Sequence, residues 1–270
     1  MTNITFIGAG NMATSIIGGL IANGTAPNTI TASDPNTQSL SLLATSLGVY
    51  TEQDNAAACQ QADVVVLCVK PQVLKAVATD LAPHLKANAL VISIAAGIGA
   101  NAINTWLGGN TAVVRCMPNT PALVQAGASG LFANEWVSDA QKQFAETLMA
   151  ATGVVVWLEQ EELIDAVTAV SGSGPAYFFL MMESMIEAGM KQGLTAEQAR
   201  ELTLQTAAGA AKLAQESEFS VDELRRRVTS PGGTTEQAIL SFEGAGLRDM
   251  VDTAMLACAK RSKTMASEFS

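Results

Sequence analysis

Only one histidine, His84, occurs in the 270-residue chain. A Ser-His-Asp triad or a His-rich metal site has almost nothing to draw on. His84 itself follows Pro83 and reads as a solvated surface residue. No carboxylate cluster has metal-ligand spacing either. The four cysteines (Cys59, Cys68, Cys116, Cys258) are far apart and form no CxxC pair. Cys68 and Cys116 end apolar runs, so buried free thiols and a reducing, cytoplasmic setting are expected. Cations are also scarce. Lys and Arg total 15 against 25 Asp and Glu, for a net charge of −10, and none precedes Lys70. That speaks against nucleic acid or an anionic membrane as the main partner. No apolar run is expected to reach the roughly 18 residues of a membrane span. The N-terminal apolar stretch lacks a basic leader and is broken by Gly8 and Gly10, which argues against a signal peptide. There is no internal repeat, low-complexity tract or long linker.

What remains is an apolar fraction of 49% and a charged fraction of 15%, the composition of a globular protein. The length suits two domains. Through residue 158, short apolar runs alternate with helical patterns. Strands are expected at 4–7, 29–32, 64–69, 90–94, 112–116, 129–132 and 154–157, with helices such as 12–22 and 138–150 between them. This alternation implies an α/β domain, a Rossmann-like, doubly wound and mostly parallel sheet, over residues 1–160. Residues 161–270 carry helix signals instead. Pro175 suits a first helical position, and Gly193 a C-cap. Thr195 with Gln198, and Ser220 with Glu223, match capping boxes. The last helix is expected over 247–266. So much apolar helix surface favours an all-helical domain that is buried across a dimer. The hinge is expected near 159–162.

Two segments carry chemistry. Gly8-Ala9-Gly10-Asn11-Met12-Ala13 follows the first strand. Gly8 allows a tight turn, Gly10 lets a pyrophosphate approach the backbone, and Ala13 is small enough for helix to pack on strand. Asp34, after the second strand, suits the adenosine ribose and leans toward NADH over NADPH. Only Ser33, Asn36, Thr37 and Asn55 are at hand for a 2′-phosphate, although Lys70 could fold over the site. Loops at Lys70-Pro71, Ala95-Ala96-Gly97 and 116–121 end later strands and should line the same crevice, with Asn119 and Thr120 able to hydrogen-bond.

The second segment is Ser230-Pro231-Gly232-Gly233-Thr234-Thr235. Thr234 with Gln237 matches a capping box, placing a helix start near Glu236. Free backbone N–H groups and a helix N-terminus then converge on one spot fit for a small carboxylate, with the Thr235 hydroxyl beside it. Arg225-Arg226-Arg227 reads as the last turn of an exposed helix, and could also steer an acidic substrate. Glu159, Glu161 and Glu162 read as a solvated hinge, with Glu161 able to reach a site. Without a histidine or metal to activate a hydride acceptor, an already electrophilic substrate such as an imine fits.

These residues, with Val-Lys-Pro at 69–71, Arg-Cys-Met-Pro-Asn-Thr-Pro at 115–121 and Asp-Ala-Val-Thr-Ala-Val-Ser-Gly-Ser-Gly-Pro-Ala-Tyr at 165–177, run in the order found in pyrroline-5-carboxylate reductases, which the chain resembles over nearly its whole length. The resemblance implies reduction of 1-pyrroline-5-carboxylate to L-proline by NADPH or NADH, the last step of proline biosynthesis. It implies an interlocked homodimer with substrate near the interface, and in some members a decamer of five dimers. It implies cofactor contacts at Ile7, Gly8, Ala9, Gly10, Asn11 and Met12, at Ser33, Asp34 and Asn55, at Cys68, Val69, Lys70 and Pro71, and at Ile94, Ala95 and Ala96. It implies a substrate site at Ser230, Gly232, Gly233 and Thr234, a hydrogen bond from Thr235 to the ring nitrogen, and Glu161 near the substrate. Two rivals stay open. One is a β-hydroxyacid dehydrogenase, with Lys191 or Lys212 as its catalytic lysine; the other is a dinucleotide sensor without turnover.

Overall fold

A computed structural model describes residues 2–269. Several strands are rich in β-branched residues. Ile4–Ile7 (β1) is buried at every position, as strands covered on both faces must be. Period two then sorts the side chains. Ile4 and Phe6 join Val64, Val66, Leu90 and Ile92 in one core, while Ile7 joins Val65, Leu67 and Val91 in a second. The helix Asn11–Ala22 (α1) follows β1. Next come Ile30–Ser33 (β2), Thr37–Leu47 (α2), Tyr50–Glu52 (β3), Asn55–Cys59 (α3) and Val64–Leu67 (β4). Pro71–Leu81 (α4), Leu90–Ser93 (β5), Ala100–Trp106 (α5), Ala112–Met117 (β6), Gly127–Ala133 (β7), Asp139–Ala150 (α6) and Gly153–Trp157 (β8) complete the layer. The sheet has eight strands in the order β3-β2-β1-β4-β5-β6-β7-β8. Among the described residues, only the β6–β7 pair is antiparallel.

Caps fix where the helices start. Asn36 and Asp54 accept from the first-turn amides of α2 and α3, Ser138 and Gln141 close a capping box on α6, and Pro71 opens α4. The strand β3 answers to no apolar run, since all three of its residues are exposed. Its register with β2, Thr31 opposite Tyr50 and Ser33 opposite Glu52, makes it a strand.

Helices follow: Leu163–Val167 (α7), a π-helical turn over Thr168–Gly172, then Gly174–Lys191 (α8), Ala196–Glu216 (α9), Val221–Arg227 (α10), Thr234–Gly244 (α11) and Leu247–Phe269 (α12). The Thr195–Gln198 capping box forms on α9. The one expected at Ser220 and Glu223 does not. Ser220 Oγ donates to Asp222, and the Glu223 carboxylate accepts from Arg226 and Arg227. A carboxylate with cations in reach forms the stronger charge-assisted bonds there, and not one back to an amide.

The chain forms two compact units, one running to Ser173 and resuming at Ala257, the other spanning Gly174–Leu256. The division falls later than the hinge expected near 159–162 because α7 stays with the sheet. Val167 packs over β7 at Gly130, where a Cβ would lie 2.7 Å from its methyl. The end of α12 is tied to the same unit, with Ser262 Oγ donating to Asp165 Oδ1 at 2.6 Å and Cys258 Sγ to Ser173 Oγ at 3.2 Å. No membrane-length apolar run was expected, yet the helical stretch Leu163–Lys191 has the length and mean hydropathy (1.2) of one. A bend at Ser173 interrupts it. In the second unit α8 exposes Phe178, Phe179 and Leu180, each more than half. A helix apolar on that side needs cover.

Gly130→Ala should destabilise the first unit by roughly 1–3 kcal/mol, because the added methyl forces Val167 away from the sheet. Urea unfolding would show it as a lower midpoint at unchanged slope.

Candidate active site

The turn after β1 is set by a close approach of two backbones. Gly8 has φ +102°, its N–H donates to Ser33 O at 2.7 Å, and a Cβ there would meet Cys68 O at 2.8 Å. Gly10 then caps α1 without any side-chain bond, and the first turn of α1 holds no acid. The amides of Asn11, Met12 and Ala13 thus have no intrahelical partner. Such a helix start seats a diphosphate. It also lies at the switch point of the sheet, since β1 is flanked by β2 on one side and β4 on the other.

Around this turn the strand ends gather the expected cofactor residues. Asp34 accepts from Ala9 N–H through Oδ2 and from Asn36 N–H through Oδ1, both at 2.8 Å. Ser33 Oγ donates to Asn55 Oδ1 at 2.7 Å, which brings Asn55 to the end of β2. Asn36 is occupied in capping α2. Three of the four neutral groups considered for a 2′-phosphate, Ser33, Asn36 and Asn55, are therefore already engaged. Cys68 N–H donates to Ile7 O, Val69 and exposed Lys70 follow, and Pro71 starts α4. Ile94, Ala95 and Ala96 follow β5, with the Ala95 amide donating to Ser93 Oγ. Burial pushes the Cys59 and Cys116 thiols up to about 12 and raises Cys68 as well, so these sulfurs are inert packing groups at neutral pH.

The pairing of Glu161 with Arg115 had no sequence signal beyond one charge inside an apolar run. Arg115 sits on β6 with its side chain 7% exposed, and its Nη1 donates to Glu161 Oε1 at 3.1 Å. The same oxygen accepts from the amide of Ala100, the first residue of α5, at 2.7 Å. Asn119 also bridges, donating to Ser171 O and accepting from Ala128 N–H, in line with the hydrogen bonding expected of it.

In the second unit the Ser230–Thr235 segment forms a tight turn. Gly233 N–H donates to Ser230 O at 3.0 Å, and Gly232 has φ +72°. The helix α11 starts at Thr234 with Gly233 as its cap, not near Glu236, and no side chain caps it. Thr234 lies inside the first turn, so the expected Thr234–Gln237 box is not made. The Glu236 carboxylate reaches back to the Gly232 amide instead, at 2.8 Å. The Thr234, Thr235 and Glu236 amides begin the helix and have no intrahelical acceptor. Ser230, Gly232, Thr234 and Thr235 are exposed and Gly233 half-buried. Glu161 belongs to the first unit and this turn to the second.

A glycine turn at the switch point of a doubly wound sheet, joined in sequence to a helical unit, defines a dinucleotide-dependent oxidoreductase. Comparison with known proteins narrows this. The NADP oxidoreductase, coenzyme F420-dependent family profile matches residues 3–97, and the pyrroline-5-carboxylate reductase dimerisation profile matches 161–265. A pyrroline-5-carboxylate reductase of Pseudomonas aeruginosa is 54% identical over 98% of this chain and 97% of its own. The solved structure of the Coxiella burnetii enzyme is 49% identical with a TM-score of 0.95, covering 98% of both chains. The Plasmodium falciparum pyrroline carboxylate reductase, solved with NADP bound, is 29% identical with a TM-score of 0.87, again over 98% of both. The chain belongs to the pyrroline-5-carboxylate reductase family. Its reaction is the NAD(P)H-dependent reduction of 1-pyrroline-5-carboxylate to L-proline, which sets aside both the hydroxyacid dehydrogenase and the sensor. Its helical half is the family's dimerisation region, so the chain works as a homo-oligomer on a small-molecule substrate.

Gly8→Ala should weaken dinucleotide binding by about 10- to 100-fold, the scale set by a non-glycine residue forced to positive φ. Titration of NADH against intrinsic fluorescence measures it.

Proposed function

We propose that the α11 turn seats the substrate carboxylate and that Thr235 attends the ring nitrogen. The observation that carries this is the start of α11, which has no side-chain cap and follows a turn of uncharged residues, with the Glu236 carboxylate held on the Gly232 amide. The carboxylate accepts from the Thr234 and Thr235 amides and from the Ser230 hydroxyl. The Gly233 amide, already donating to Ser230 O, holds the turn's shape. Gly232 supplies the positive φ that the turn needs. NAD(P)H, when bound, supplies the hydride to the imine carbon. The chain's own task is to orient the ring and complete the proton transfer. The imine enters protonated, or gains its proton through the Thr235 hydroxyl and water.

For the cofactor, the amides opening α1 hold the diphosphate, Asp34 accepts from the adenosine ribose, and Ile94, Ala95, Ala96, Cys68, Val69, Lys70 and Pro71 line the nicotinamide half. NADH is the preferred donor in this reading. Asp34 offers a carboxylate and no cation just after β2, and Ser33, Asn36 and Asn55 are already engaged. The assembly is a homodimer whose partner covers the exposed face of α8, and five such dimers form a decamer. The setting is the cytoplasm.

Purified protein with 1-pyrroline-5-carboxylate should oxidise NADH faster than NADPH, read as loss of nicotinamide absorbance; equal or reversed rates would remove the Asp34 argument. Thr235→Ala should lower kcat/KM about tenfold or more, the scale of one hydrogen bond gained in the transition state, with NADH affinity unchanged. Gly233→Val should chiefly raise KM for the imine, because a Cβ there meets Ser230 O at 2.9 Å and opens the turn. An unchanged KM would sink the carboxylate seat.

A further inference from the structure

We propose that Glu236 is a positioning residue: by holding the Gly232 amide, its carboxylate confines the substrate carboxylate to the Thr234 and Thr235 amides and so sets the ring nitrogen against the Thr235 hydroxyl. The inference rests on the carboxylate seat proposed for the α11 turn. Glu236 is the third residue of α11, and its Oε2 accepts from Gly232 N–H at 2.8 Å. The place that an anion would take on this amide is therefore already filled. Gly233 N–H is also spent, on Ser230 O. Pro231 before them has no N–H to offer. In the row of amides from Gly232 to Glu236, the first two are thus committed within the chain, and only those that open the helix lack an intrahelical acceptor.

The helices α6 and α9 show what the third residue does elsewhere. There Gln141 and Gln198 return to the N-cap amide, while the Ser138 and Thr195 side chains hold the third amide. At α11 the N-cap is Gly233, which has no side chain, so the Glu236 carboxylate reaches one residue further back. Burial does not demand this bond, because Gly232 is exposed and water can serve its N–H. Nor does an ion pair hold the carboxylate, since among the described residues no cation pairs with Glu236. An anion beside the seat also works against binding a carboxylate. The bond is better explained by where it leaves the substrate than by how tightly. On a row of open amides a carboxylate can slip by one residue, a step of roughly 1.5 to 3.3 Å. A misplacement of about 1 Å already costs on the order of a hundredfold in rate. Filling Gly232 removes the register that draws the ring away from Thr235.

The test compares the full-length protein with Glu236→Ala, Glu236→Gln and Glu236→Asp, and with Gly233→Val as the control for the seat. Four quantities are measured: kcat and KM for 1-pyrroline-5-carboxylate, the NADH dissociation constant, and Tm. Glu236→Ala frees the Gly232 amide, so kcat is expected to fall about tenfold or more. KM should stay level or fall by up to about threefold, because an anion leaves the neighbourhood of the seat. Glu236→Gln keeps a neutral acceptor in reach of Gly232, a bond about half as strong, and should restore kcat to within about twofold. Glu236→Asp keeps the charge but is one carbon short, so its kcat should follow the alanine variant. The last two variants separate the bond from the charge, and NADH binding should be the same in all three. If Glu236→Ala does not fold, the Gln and Asp variants carry the comparison. A lower Tm or a raised KM in Glu236→Ala, with kcat unchanged, would reduce the bond to a helix cap and overturn the proposal. An equal loss of kcat in Glu236→Gln would overturn it too, making the charge the active element and not the bond. An unchanged KM in Gly233→Val would remove the seat itself and this proposal with it. A raised KM there beside a wild-type kcat in Glu236→Ala would remove this proposal alone.

Discussion

The approach of the Gly8 turn to the end of β4 is the constraint on which the first unit is built. At 2.8 Å from Cys68 O there is no room for any side chain at position 8. The turn is pinned from both neighbours: Gly8 N–H donates to Ser33 O on the β2 side, and Ile7 O accepts from Cys68 N–H on the β4 side. Asp34 adds a third tie through Ala9 N–H. Two parallel strands must flank β1 for these bonds to exist together. Their helices then leave on opposite faces, and the crevice at the switch point opens above the start of α1. The close approach and the cofactor crevice are thus one geometric fact.

Charge is used sparingly and in two different ways. Among the described residues, Arg115 with Glu161 is the one ion pair having both side chains less than a quarter exposed; the pair of Lys86 with Asp63 is over a third exposed on each side. Exposed pairs of that kind contribute little. The buried one costs desolvation on both groups, so what it supplies is better described as a fixed link between β6 and the start of α5 than as stability. The α11 turn works the opposite way, offering backbone dipoles and no cation. The Arg225–Arg227 run, a candidate for steering, is largely committed to Asp222, Glu223 and Glu243.

Much of the fold was legible because its cores obey simple periods. The buried strands β1, β4 and β5 are continuous apolar runs, and the Gly8 turn carries its own signature. The β3 strand was not legible, since its three exposed residues bury nothing and only backbone pairing defines it. Nor was the antiparallel entry of β7, which depends on where the chain returns. The three capping-box patterns in the helical half show the limit best. At Thr195 the box forms; at Ser220 nearby arginines claim the glutamate; at Thr234 the preceding glycine caps the helix. The same local pattern is decided by its competitors. Arg115 was visible as a charge within an apolar run, but its partner lies 46 residues away and only tertiary structure supplies it.

If the α11 turn seats the carboxylate as proposed, it holds imine and proline equally well, because the carboxylate is unchanged by the reaction. Binding of that uniform kind lowers KM without raising kcat. The rate must then come from groups that sense the ring nitrogen as it changes from imine to amine, and from the precision with which the nicotinamide meets the ring carbon. The first falls to the Thr235 hydroxyl, a neutral group able to donate or accept as the nitrogen's protonation changes. On the proposed cofactor assignment, the second falls to the small-residue loop after β5. A catalytic unit without a histidine is sufficient under that division of labour. The substrate is electrophilic on arrival, and the protein's contribution is placement.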